Sequence, residues 1–378
     1  MLRTSLLAAF AATSLAMIAV GCGPDAAPAA LGRVPPPSPE GAACAEAGTT
    51  QAMDTLFLGD TTRAGKPDTN SGWKEFGYNL DGLTSTKTST GLCKPRAGGS
   101  AATIYPDGTE GIDNSFGKNI LPIIIGLSSD LSTKANESIQ KGEFTIMLDI
   151  SKLGRDCTGA ATKLYAGATL VDAAGTAIEP KWDGNDSWPI SRELLENPAD
   201  PTSSKISFPQ AYIAGNTWVS GTKGTVTLQL TISGFTLALD ITNAYVTLDL
   251  ADGNKSGTNG TIAGILDTEQ LVAEISKVAA AFDESFCDPE SPTLVSILNQ
   301  LRQASDIMKN GTQNPGAECD GISIGLGFNT KAVKLGPVAE EAKPPPDPCA
   351  AGGAGGAGGS AGAGGGGGAG GGGGAGGT

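Results

Sequence analysis

The sequence has no histidine. That removes Ser-His-Asp and Cys-His nucleophile arrangements and the HExxH zinc site at once. Proton transfer would fall to Asp, Glu, Lys or Tyr. Basic residues are also in deficit, with 25 Lys and Arg against 39 Asp and Glu, a net charge of −14. Such a surface repels nucleic acid and anionic membrane, so no nucleic-acid partner is expected. Beyond residue 20 no run is long and apolar enough to span a bilayer. No repeat of domain-building period is visible.

Residues 1–21 read as an export signal. Arg3 is the one charge before an apolar run from Leu6 to Val20. The run is short for a membrane span and suits a signal core. Small residues Ala19 and Gly21 end it and Cys22 follows, in the stretch "IAVGCGPD". This resembles bacterial lipoprotein signals, with Ala19 where leucine is usual. The resemblance implies a diacylglyceryl group on Cys22, which becomes the new N-terminus and holds the protein at a membrane. The alternative is ordinary cleavage after "APA", Ala27 to Ala29, and secretion. With its Pro-rich tether and Gly/Ala tail, the chain also resembles secreted lipoproteins of soil-living Gram-negative bacteria such as myxobacteria. That implies an outer-membrane location, periplasmic or surface-facing, and says nothing of activity.

Cys22 is one of seven cysteines. With it set aside, Cys44, Cys93, Cys157, Cys287, Cys319 and Cys349 remain, an even set that reads as three disulfides in an exported protein. Sequence does not choose the connectivity. Cys287–Cys319 is the pair expected first, because the two flank one helix, and Cys44–Cys93 is a guess from adjacency.

Residues 22–48, including "VPPPSPEG", read as a semi-rigid tether. Residues 49–349 form the globular body. Residues 350–378 are almost wholly Gly and Ala and bury nothing, so they read as disordered. Their deletion is expected to leave the melting temperature unchanged.

The body carries period-two patterns. Over "GTVTLQLTISGFTLALDITNAYVTLDLADG", Val226, Leu228, Leu230 and Ile232 alternate with polar residues. Phe235, Leu237, Leu239 and Ile241 do the same after a Ser-Gly turn, and Val246, Leu248 and Leu250 follow. This predicts a half-buried antiparallel meander. "EFTIMLDI" and "GISIGLGF" repeat the pattern. In the second, Ser323, Gly325 and Gly327 form a small face that predicts close backbone packing. Two helices are predicted: one capped by Asp267 with Leu271, Ile275, Val278 and Phe282 in a stripe, and one from Ser291-Pro292 to a stop at Gly311. The expected fold is α+β and mainly β: an antiparallel β-sandwich with a helical hairpin, stapled by disulfides.

Two loops hold candidate ligand groups. "KWDGNDSWPI" sets Trp182 and Trp188 around Asp183, Asn185 and Asp186. On an exposed loop this is a sugar platform; otherwise the tryptophans anchor the loop. "YPDGTEGIDN" brings Asp107, Glu110, Asp113 and Asn114 together, and hard oxygen ligands at this spacing admit calcium, the one cofactor considered. The alternative is a Pro-Asp-Gly turn. Trp73 and Trp218 either join a binding surface or lie in the core. "SGWK" and "SGTK" match Ser-Lys spacing but open no helix. The functional expectation is a lipid-anchored, non-catalytic envelope module for a glycan or protein. A carboxylate-based carbohydrate-active enzyme and a purely structural surface protein are the alternatives.

Overall fold

The computed structural model describes residues 32–341, apart from 128, 233 and 234, together with 349 and 350. Cys22 and nearly all of the Gly/Ala tail lie outside the described residues. Twelve strands join in one mixed sheet: β1 (Glu46–Phe57), β2 (Thr145–Leu153), β3 (Cys157–Thr158), β4 (Thr162–Gly167), β5 (Ser187–Ile190), β6 (Ile206–Phe208), β7 (Tyr212–Ala214), β8 (Thr217–Val219), β9 (Gly224–Ile232), β10 (Phe235–Ala251), β11 (Ser256–Asp267) and β12 (Gly321–Val338). The fold is mainly β, as the alternating patterns predict, but the strands are hydrogen-bonded into one sheet that curls on itself.

The curling is visible in the pairings. β12 pairs with β1, β1 with β2, β2 with β4, β4 with β5, and β5 returns to β12. Five strands therefore close a ring. The last pairing is parallel, Trp188 opposite Leu335, so the sheet is not wholly antiparallel. One face of the ring strands encloses a small core of Ala52, Met147, Tyr165, Trp188, Ile190 and Val333. Their opposite face, with Met53, Ile146, Leu148 and Leu164, belongs to the main core. Period-two alternation serves two cores here, which is why Thr145 to Leu148 are all buried.

The predicted meander takes a different course at its third segment. β10 runs unbroken through residues read as two strands, bending at Asn243, whose φ is +50°. Its first half pairs with β9 and its second with β8. The small face of β12 packs closely, as expected. A Cβ on Gly325 would lie 2.3 Å from the Phe76 carbonyl oxygen, and one on Gly327 2.2 Å from the Phe76 ring.

α1 (Ala101–Ile104) packs Ile104 with Cys93 and Cys319 in a small separate cluster, and the other helices cover the main core: α2 (Leu121–Leu127), α3 (Leu131–Gln140), α4 (Thr268–Val278) and α5 (Pro292–Gln303). The Asp267 carboxylate caps α4, accepting from the Glu269 and Gln270 amides. Gln270 does not close a capping box; it donates to Asp240. α5 ends at Gln303, well short of Gly311, because the chain turns to bring Asp306 and Ile307 to the start of β12.

All six body cysteines are bonded, but the expected pairs are not the ones formed. Cys44 joins Cys157, Cys93 joins Cys319, and Cys287 joins Cys349. Cys319 lies just before β12 beside the Cys93 loop, where its amide donates to the Lys94 carbonyl and the Lys94 amide donates to the Ala317 carbonyl, and so is not free for Cys287. Three disulfides place the chain in an oxidising, exported environment. The segment from 32 to 45, expected as tether, lies along the body. Arg33 donates its amide to the Glu110 carbonyl, and the Tyr212 hydroxyl donates to the Pro36 carbonyl.

Candidate functional site

The tryptophan loop is a plug. Trp188 is fully buried in the ring, its indole N–H donating to the Ala168 carbonyl at 2.7 Å. Trp182 is half-buried and leans on Trp188, centroids 5.4 Å apart. Asp186 is spent holding the loop, accepting from the Lys181 and Trp182 amides. Asp183 accepts from the Asn185 amide, and the Asn185 side chain accepts from Lys334. Trp188, fully buried, has no face to stack on a sugar, so the two tryptophans do not form the expected paired platform. The sequence alternative, anchoring of the loop, describes them.

The acidic loop is equally committed. Asn114 is buried, and its amide donates to the carbonyls of Trp73, Phe76 and Gly325 while accepting from the Gly117 and Gly325 amides. Asp113 is buried and accepts from the Leu80 amide at 2.7 Å. Glu110 is exposed and sits at the left-handed φ of +55°. Among the described residues no group of three or more Asp, Glu, His or Cys can hold a metal ion. The four residues do not form the expected calcium site.

Asp107 alone of these faces a cleft of about 640 Å³. The cleft lies between the 60–76 loop and the chain entering α2, with Asp60, Trp73, Lys74, Asp107, Lys118 and Pro122 on its walls. Each wall is locally built. Asp68 accepts from the Ser71 amide and hydroxyl and starts the short 3-10 turn Gly72–Glu75. That turn presents Trp73, whose indole donates to the Asn70 carbonyl. Gly117 passes so close to Trp73 that a Cβ there would lie 2.8 Å from the Trp73 Cβ. The next residue, Lys118, reaches back over the indole, its Nζ 5.3 Å from the ring centroid, and donates to the Pro106 carbonyl at 2.8 Å. Lys74 Nζ lies 5.7 Å from the same ring.

The electrostatics follow from burial. Desolvation, with the charges of Asp81 and Asp306 adding, pushes the Asp107 carboxyl up to about 7 against the amide hydrogen bond from Ser85. Desolvation brings Lys118 down to about 8, opposed by Asp306 and Asp107. Behind the cleft, burial raises Asp113 far above the carboxylate range and Asp306 to about 7. At neutral pH Asp107 is thus partly protonated beside a charged lysine. The Oδ1 atom of Asp60 is buried without a hydrogen-bond partner. An unpaired buried carboxylate oxygen costs about 1–3 kcal/mol. The cleft therefore offers donors, acceptors and an apolar wall together, the composition of a small-molecule site.

Asp107 and Trp73 stood out in the sequence. Asp60 and Lys118 did not, because neither lies in a motif; only the fold brings them to one cleft. No family model matches the sequence, and neither the curated proteins nor the solved structures give a match.

Proposed function

We propose that this is a lipid-anchored cell-envelope protein, held through Cys22 and binding a glycan without turnover in the Asp60–Trp73–Lys118 cleft. The observation that carries the ligand is the convergence of Asp60, Lys74, Asp107 and Lys118 around an apolar wall. Hydroxyl-rich ligands need both donors and acceptors, and the cleft supplies them beside the exposed Pro122 and the half-buried Ile125. The anchoring rests on the resemblance at Cys22 and agrees with the absence, among the described residues, of any helix able to cross a membrane. Each acyl CH₂ buried in a bilayer contributes about 0.8 kcal/mol, so several chains hold a protein durably.

One observation favours a second reading, a carboxylate-based carbohydrate-active enzyme. Asp107, raised to about 7, and Asp60 line the same cleft. Two carboxyls flanking one bond are the arrangement that glycoside hydrolysis uses. Two experiments separate the possibilities. Detergent phase partitioning of wild type and Cys22→Ala tests the anchor; equal partitioning into the aqueous phase defeats it. A glycan array, run with and without calcium and followed by product analysis, tests the site. Binding without product supports the module, and turnover lost in Asp107→Asn establishes the enzyme.

A further inference from the structure

The five-stranded ring is plugged at one end by Trp182 and Trp188 and open at the other, onto a cleft of about 600 Å³. This cleft shares no lining residue with the one described above. Two neighbouring rungs build it. Ala52, Met147 and Tyr165 stand side by side across β1, β2 and β4, and one rung further out stand Thr50, Asp149 and Lys163.

Tyr165 is only 1 % exposed, yet its hydroxyl makes no hydrogen bond among the described residues and opens into the cleft. Every other large polar ring group in this small core is paired, Trp188 to Ala168 and Trp182 to Gln140. The hydroxyl is thus accessible at the floor of the cleft and free to donate to a ligand. Above it, Asp149 and Lys163 are directly opposed across β2 and β4. They form no ion pair with each other. One Asp149 oxygen accepts from the Thr50 hydroxyl at 2.8 Å, and the Lys163 ammonium donates to the Thr202 carbonyl. Each keeps capacity to spare, since a carboxylate has two oxygens and an ammonium three donors. The remaining lining sets Ile190, Pro201, Pro209 and Leu335 beside the hydroxyl residues Ser151, Thr162, Thr202 and Ser207.

We propose that the open end of the ring is a second binding site that takes free α-amino acids with apolar side chains. The ligand ammonium faces Asp149, its carboxylate faces Lys163 and the Tyr165 hydroxyl, and its side chain lies against Leu335 and the prolines. A saccharide is disfavoured because Tyr165 offers a hydroxyl but no open ring face on which a sugar could stack.

The test is isothermal titration of the full chain with leucine, valine and phenylalanine, and with N-acetyl-leucinamide, which has the side chain but neither charge. The expected result is saturable one-site binding of at least one free amino acid and none of the blocked compound. Tyr165→Phe removes only an unpartnered hydroxyl, so its melting temperature stays at the wild-type value. Its affinity falls about tenfold or more, the loss expected for a hydrogen bond to a charged group. Lys163→Met falls likewise, and Lys118→Met in the other cleft leaves this binding unchanged. No saturable binding of any of the three, equal binding of the blocked compound, or unchanged affinity in Tyr165→Phe would overturn the proposal.

Discussion

At the scale of single residues, the side chains that look like ligand groups in the sequence divide by what their hydrogen bonds are spent on. Asn114 makes five bonds to backbone groups of three segments, so its role is to fix the Trp73 turn against β12. Asn114→Ala strands several buried groups, and at about 1–3 kcal/mol each we expect a loss of about 3 kcal/mol or more in urea unfolding. Trp188→Ala empties the ring core and is expected to cost about 3–5 kcal/mol, whereas loss of the half-buried Trp182 costs less. The raised acids give a signed pH dependence. Asp107, Asp113 and Asp306 hold protons more tightly folded than unfolded. Their stabilisation is complete below their unfolded value of 3.8, and that from Asp107 and Asp306 is lost as pH rises through about 7. Asp267 and Glu269 are shifted down and act oppositely, losing stability below the ordinary carboxylate range. Lys118, lowered to about 8, acts only at higher pH. Denaturant unfolding is therefore expected to show greater stability near pH 5 than near pH 8. Asp306→Asn should flatten that slope, and a slope of the opposite sign would contradict the reading.

At the scale of elements, glycines and half-bonds decide how strands meet. Gly325 lets β12 pass against the Phe76 backbone, and Gly325→Ala forces a Cβ to within 2.3 Å of that carbonyl oxygen. The expected cost is about 1–3 kcal/mol, read as a lowered denaturation midpoint, while the open Gly224 tolerates alanine. This close approach was legible in the sequence because the face opposite Ile322, Ile324 and Leu326 is all small. The Asp267 cap and the stripe of Leu271, Ile275 and Val278 were legible for the same reason: they are local. The α5 end was not, since residues 304–320 follow tertiary bonds of Asp306 to Ser323 and not helix periodicity. The disulfides were legible as a set and illegible as pairs. Their sequence separations are 62, 113 and 226 residues, and such contacts depend on strand order. In the chain-entropy model loops of these lengths contribute about 4–5 kcal/mol each. Non-reducing peptide mapping should link the Cys287 peptide to the Cys349 peptide; a link to Cys319 would contradict the fold.

At the scale of the whole molecule, the sheet makes two cores from one set of strands, and each core carries a cleft at its edge. The ring could not be read from alternation, because a strand buried on both faces loses its polar register, as Thr145 to Leu148 do. The candidate site was illegible for a related reason: Asp60, Trp73, Asp107 and Lys118 belong to four stretches with no shared motif. What the sequence did carry at this scale was an oxidising, exported environment, through the six paired cysteines. The central claim is that the Asp60–Trp73–Lys118 cleft is the glycan-binding site, and one measurement addresses it most directly. Calorimetric titration with the strongest array ligand would compare wild type with Lys118→Met and Asp60→Asn, with Trp182→Phe as a control remote from the cleft. The account predicts affinity reduced by about tenfold or more in both cleft variants, with wild-type affinity in the control. Wild-type affinity in both cleft variants would contradict it.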